Sequence, residues 1–538
     1  MRLAKCHAAA WALGSSRFLT PAAAAASASP IQPDHESAGR NCHHIFNAIH
    51  SAGRQWGSAV KHNGLSFFPA AIPKGTLLYH GSNTDSIPRG PEWLAFEVEH
   101  AEAFALSVTL PGRQHDQLVG QKPLIPSSAR RRDAGRGQQN RRGYLHTYRA
   151  ERDLKILYLD GMSAGKTHMG TLDTQDLLLR ENNTPPAWDS FMDELDRAGS
   201  ICDLMTEWAY DGFVRLEIGF EVVYCNFSNG IDLVAMKRTL LHPDADKSPY
   251  DPMKPFQWAR AASERYDGIG GHRLTLDFSS MVSAFFFPVD LSNTDANRPD
   301  LPRLVAVSLD ELRDIKAYLR EVCTQPRRYT VNWQAVVDMI VTRYSARFAL
   351  MASTLLSPSD FVEELDVVSR TYFDAPSLPG DITVASPENR TAEAIDSCTV
   401  HYLLPTYLDR DRWDVEDDMI HTALKRVVGQ ICNQLFVMRA VILKASARDD
   451  PLTDLSLTMG NDGGAPNLDE AVARCRQSLE RLREDLSWTT WRRPQACPVN
   501  ELLMIAMWPL GDAEDYWTPR CRSVDEVGYS RRSYWRGT

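Results

Sequence analysis

Between Asn41 and Val60, in NCHHIFNAIHSAGRQWGSAV, the apolar residues Ile45, Phe46, Ile49 and Trp56 recur at roughly helical spacing, which predicts an amphipathic helix. GTLLYHG (75–81) and YLHTYRAERDLKILYLDG (144–161) follow as strand-like runs, with the helical EHAEAFAL (99–106) between them. CDLMTEWAYDGF (202–213) reads as a helix that turns at Asp211-Gly212. GFEVVYCNF (219–227) reads as a strand closed by a turn at Asn229-Gly230. From Asp244 to Pro302 the pattern is irregular, with YDGIGGHR and the apolar MVSAFFFPV. Beyond Val305 helical periodicity dominates, in SLDELRDIKAYLREVC, WQAVVDMIVTRYSARFALMAS, MIHTALKRVVGQICNQLFVMRAVILKAS and LDEAVARCRQSLERLREDL. The expected plan is α+β: a mixed domain over residues 40–240 with an inserted loop at 111–143, a connecting region at 241–305, and a mainly helical domain at 306–538.

Composition narrows the function classes. A chain of 538 residues, 43% hydrophobic and 24% charged, can bury more than one sizeable core. Its net charge of −10 argues against nucleic acid as the main partner, since phosphate binding needs clustered Lys and Arg. No run of 18 or more apolar residues occurs, so no spanning helix is expected. The basic stretch SSARRRDAGRGQQNRR (127–142) has almost no apolar residue and reads as an exposed loop.

Residues 1–33 lack Asp and Glu, carry Arg2, Lys5 and Arg17, and contain an alanine-rich AAAAASASP. This is the composition of a leader, a secretory signal first and a mitochondrial presequence as the alternative. The ten cysteines include no C-x-x-C pair, so a zinc ribbon or dithiol site is not expected, and no metal is expected at all. In an exported chain a disulfide among Cys475, Cys497 and Cys521 is plausible. Sequons at Asn182, Asn226 and Asn389 add little, because chance produces a few in a chain this long.

LKILYLDGMSAGKT (154–167) spells two motifs at once. Gly161-Met162-Ser163-Ala164-Gly165 has the form of a hydrolase nucleophile elbow, and Gly165-Lys166-Thr167 ends like a phosphate-binding loop. Asp160 stands where the phosphate loop needs its first glycine, and Gly170 interrupts the helix that should follow. A serine hydrolase built on Ser163 stays open as an alternative, although no downstream acid or histidine is marked out for it. The simplest reading is a turn after a core strand.

Three separated segments agree with one another better. They are GTLLYHGSN with His80-Gly81-Ser82, PEWLAFEVEHAEAFA with Trp93, Ala95, Ala101 and Phe104, and GFEVVYCNFSNGI with Glu221. Together they resemble the H-Y-E class of ADP-ribosyltransferases, the diphtheria-toxin-like and poly(ADP-ribose)-polymerase-like catalytic domains, over roughly residues 75–235. The spacing from Ala95 to Phe104, nine positions, is that of the family pattern. Trp93 replaces the family's tyrosine, Ala101 a common serine, and Gly219 stands where an arginine-directed enzyme carries a second Glu or Gln. The resemblance implies a split β-sheet domain that takes NAD as substrate, for mono-ADP-ribosyl transfer to an unidentified protein acceptor or for NAD hydrolysis. It implies His80 and Glu221 as catalytic residues, with Gly81, Ser82, Trp93 and Phe104 binding NAD. Glu221 would stabilise the oxocarbenium-like centre by its fixed charge, and the two rings would sandwich nicotinamide. The non-enzymatic alternative is a secreted binding or interaction protein on the same fold with an altered pocket.

Overall fold

The structure is a computed structural model that describes residues 29–110, 139–181, 194–240, 253–263, 268–374, 387–446, 467–527 and 534–536, except positions 106, 271 and 495. Three short helices open it: α1 (His35–Arg40), α2 (Cys42–Ser51) and α3 (Gln55–Val60). The expected single helix over 41–60 is thus two, parted at Gly53, whose positive φ of 71° suits glycine. Ten strands and two helices follow: β1 (Asn63–Ile72), β2 (Leu77–Ser82), β3 (Glu92–Ala95), α4 (Val98–Glu102), β4 (Val108–Leu110), β5 (Gln139–Arg141), β6 (Tyr144–Ala150), β7 (Leu154–Gly161), α5 (Glu194–Glu207), β8 (Gly212–Leu216), β9 (Phe220–Tyr224) and β10 (Ile231–Arg238). A π-helical turn, Thr174–Leu179, lies between β7 and α5. The nominal connecting region supplies α6 (Met253–Ser263) and two strand fragments, β11 (Thr275–Leu276) and β12 (Val282–Ser283). The basic loop lies outside the described residues apart from 139–142, as do residues 1–28 and Asn182.

The principal sheet has the order β10-β6-β2-β3-β9-β8-β7-β1-β11, with β12 also on β1. Its pairs are antiparallel except β7 with β8, which are parallel and therefore need the long crossover that runs through the π-helical turn and α5. β1 is its most buried member: all ten residues of NGLSFFPAAI are buried, because sheet neighbours lie on both edges and other elements on both faces.

Helices α7 (Leu309–Thr324), α8 (Trp333–Ala352), α9 (Pro358–Ser369), α10 (Pro387–Val400), α11 (Val415–Ala445) and α12 (Leu468–Leu486) form the C-terminal part, closed by β13 (Glu501–Met504), α13 (Ala513–Trp517) and β14 (Arg520–Ser523). Local chemistry explains their ends and faces. Ser308 and Glu311 form a reciprocal capping box at the start of α7, and Leu312, Ile315, Leu319 and Val322 make its buried stripe. By length and composition α11 could cross a membrane, yet its apolar residues, Ile420 to Ile442, pack into the protein core.

One apolar core runs from Phe46 through Phe67, Val214 and Leu319 to Leu435. α1 and α2 pack on α11, and β11 and β12 complete the sheet beside β1. Residues Ile31–Thr538 are accordingly one compact unit, and the expected borders at 240 and 305 do not separate independent cores. Three disulfides tie the layers: Cys202–Cys225 links α5 to the end of β9, Cys398–Cys432 links α10 to α11, and Cys497–Cys521 joins the C-terminal hairpin. Of the three cysteines singled out near the C-terminus, Cys475 stays a buried thiol.

Cys398–Cys432 closes a loop of 34 positions between two packed helices. Replacing both with alanine is expected to lower stability by about 2–4 kcal/mol, read as a lower urea midpoint. An unchanged midpoint would mean that packing alone holds α10 on α11.

Candidate functional site

The register of the central strands decides which expected site residues meet. Tyr79 lies opposite Ala95, Ala95 opposite Glu221, and Glu221 opposite Arg215. Opposed residues share a face and successive residues alternate, so Trp93, Ala95, Arg215 and Glu221 project to one side. His80 lies opposite His146, and Glu221 is bonded to Arg215.

His80 is buried, and its Nδ1–H donates to the Trp93 carbonyl at 2.9 Å. Its ring meets Trp93, His146 and Phe227 edge-on, and burial pushes its pKa down to about 4, leaving it neutral. Ser82 is half-buried and accepts from the Thr84 N–H at 3.2 Å in the turn after β2.

On the Glu221 face, α4 lies directly over the sheet. A Cβ built on Gly81 would stand 2.0 Å from the Ala101 carbonyl oxygen, so glycine here admits the helix backbone. Phe104 meets Trp93 edge-to-face, with ring centroids 4.6 Å apart and planes at 69°. His100 completes the aromatic cluster between Trp93 and Trp258, at 5.7 and 5.6 Å. Two surface depressions of about 490 and 500 Å³ lie elsewhere, beside Cys497 and Leu503 and beside Asn41 and Phe285. None of the six expected site residues lines either one.

Beneath this aromatic cap lies a buried network of charges. Arg215 donates from Nε to Glu221 at 2.6 Å and from Nη2 to Glu194 at 2.7 Å. Arg197 donates to Glu194 at 2.7 Å and grips Asp176 with two bonds of 2.9 and 3.0 Å. Lys166 sits 3.6 Å from Glu217 and 3.9 Å from Glu194, with its ammonium 4.4 Å from the centre of the Trp508 ring. Glu221 is fully buried, and so, nearly, are Arg215, Arg197 and Glu217. Burial pushes Glu194 up, but Arg215, Lys166 and Arg197 outweigh it and hold its carboxyl at about 2. Burial is the larger influence at Glu217 and, with repulsion from Glu221, raises it to about 7 against the pull of Lys166.

Residues 154–167, which spell the elbow and phosphate-loop motifs, adjoin this arrangement. Ser163 is fully buried and donates to the Leu159 carbonyl at 3.1 Å, and among the described residues no histidine bonds to it. Lys166 belongs to the charge network. Gly161, with φ of 71°, turns the chain where a Cβ would strike the Gly64 backbone at 2.3 Å. Asp160 accepts from the Gly161 N–H at 2.8 Å, and burial raises its pKa to about 7.

Lys166, Glu194, Arg197 and Arg215 carry the network, and their pairings went unread because they join segments distant in sequence. A signal was present: Arg215 interrupts the apolar strand GFVRL, and charged residues are seldom fully buried without partners.

Comparison with known proteins adds relatives without an assigned activity. A family model described as the YPL277C N-terminal domain matches residues 37–133 and 120–245, the region that contains β1 through β10. YOR389W of Saccharomyces cerevisiae is 26% identical over 540 residues, covering 87% of this chain and 82% of that protein. YPL277C of the same yeast is 40% identical over 210 residues, covering 36% of this chain and 42% of that protein. Both are named as uncharacterized proteins. No solved structure gives a significant match.

Two outcomes follow from the buried charges. Arg215→Ala removes a buried guanidinium partner from both Glu221 and Glu194 and is expected to cost about 3–5 kcal/mol, whereas the Arg215→Met, Glu221→Leu double change should recover part of that loss. Urea unfolding of the three proteins measures both. A carboxyl whose folded pKa exceeds its unfolded value binds its proton more tightly when folded. Asp160 therefore costs nothing below about pH 4, and its destabilisation grows as pH rises to about 7 and levels off above it. Asp160→Asn should then raise the melting temperature at pH 8 and leave it little changed near pH 4.

Proposed function

We propose that the sheet domain is ADP-ribosyltransferase-like in layout but closed at the nicotinamide slot, and that the chain acts as an exported binding or interaction protein, not as an NAD-consuming enzyme. The layout is supported by strand order: the His80-Gly81 strand lies beside the Trp93 strand, which lies beside the Glu221 strand. The observation that carries the closure is the α4 backbone seated on Gly81, where the resemblance requires space for a carboxamide. Glu221 agrees with it. A carboxylate bonded to a guanidinium at 2.6 Å has its charge compensated and offers little to a developing oxocarbenium. Export is supported by the three disulfides, which persist in oxidising compartments.

Calorimetry with NAD and with nicotinamide, together with a nicotinamide-release assay, tests this reading. The expected result is no binding of either compound and no release. Release of nicotinamide that disappears in Glu221→Ala would overturn it in favour of an active transferase.

A further inference from the structure

We propose that His100, Glu217 and Glu221 together bind a divalent cation, zinc by the character of the donors. The three side chains come from α4, from the hairpin between β8 and β9, and from β9 itself. One ligand atom from each lies within 4.8 Å of the other two. A tetrahedral zinc site, with bonds of about 2.0–2.2 Å, brings its donors to roughly 3.4 Å from one another, so small side-chain rotations suffice. One imidazole and two carboxylates are a nitrogen–oxygen set suited to zinc and unlike the thiolate sets of softer ions.

His100 supplies the independent indication of a ligand. It is fully buried, and among the described residues neither Nδ1 nor Nε2 has a hydrogen-bond partner. A buried polar atom left in that state is costly, and coordination would relieve the cost. The indoles of Trp93 and Trp258 flank the ring and hold it in place beside the two carboxylates.

Lys166, Arg180, Arg197 and Arg215 meet the carboxylates of Asp176, Glu194, Glu217 and Glu221, with Lys166 3.6 Å from Glu217. Arg215 fixes Oε1 of Glu221 and so orients the carboxylate, the service an outer-shell partner gives to a metal ligand. The site departs from the expectation of no metal, and it does not depend on the transferase-like reading of the sheet.

The test is the metal content of the full chain expressed with supplementary zinc and dialysed against EDTA at neutral pH, measured by inductively coupled plasma mass spectrometry. About one zinc per chain is expected, falling roughly tenfold or more in His100→Ala and in Glu217→Gln. Wild-type protein should also lose melting temperature when unfolded and refolded in EDTA and regain it when refolded with zinc, a readout that needs no variant. Wild-type protein without zinc after both expression and refolding in the metal would overturn the proposal, and so would zinc retained in both variants.

Discussion

The guanidinium of Arg215 is the constraint around which the sheet domain is arranged. It bridges Glu221 on its own sheet and Glu194 on the crossover helix, and all three are at or near complete burial. Ions removed from water in this way are tolerated only when geometry and hydrogen bonding compensate them almost fully. The position of α5, the path of residues 162–181 and the closure of α4 over Trp93 all serve to keep water out while supplying partners. Such pairs contribute more to uniqueness of packing than to net stability, since an apolar core of equal volume would be at least as stable.

That arrangement changes the meaning of the most suggestive sequence features. The H-G strand, the aromatic pair and the glutamate are adjacent in the sheet, yet each is committed inside the protein: Gly81 to a helix backbone, Trp93 to Phe104, Glu221 to Arg215. The order of these segments in the sheet follows from strand adjacency alone.

How much could be read in advance depended on the kind of signal each segment carries. β2, β6, β7 and β9 stood out because β-branched and aromatic residues are bounded by turn residues. Helices α7, α8, α11 and α12 stood out because 3.6-residue periodicity persists over several turns. β1 was not recognised: buried on both faces, NGLSFFPAAI has no polar alternation, and Pro69 argues against a strand interior. In the site, segment order and the aromatic spacing were legible, but the buried partners of His80 were not, because pairing register is a tertiary property. The ion pairs were opaque for the same reason. Arg215 finds Glu194 across 21 positions, and Lys166 reaches Glu217 across the whole crossover.

The parallel pairing of β7 with β8 has a kinetic consequence. Lys166, Asp176, Glu194 and Arg197 all ride on the crossover between these strands, whereas Arg215, Glu217 and Glu221 sit on the sheet beyond it. A chain that collapsed before the crossover docked would bury one set of charges without the other, and that premature globule is penalised by several kcal/mol per unmatched ion. Electrostatics thus enforces an order of assembly, in which hydration is surrendered only as the two halves of the network meet.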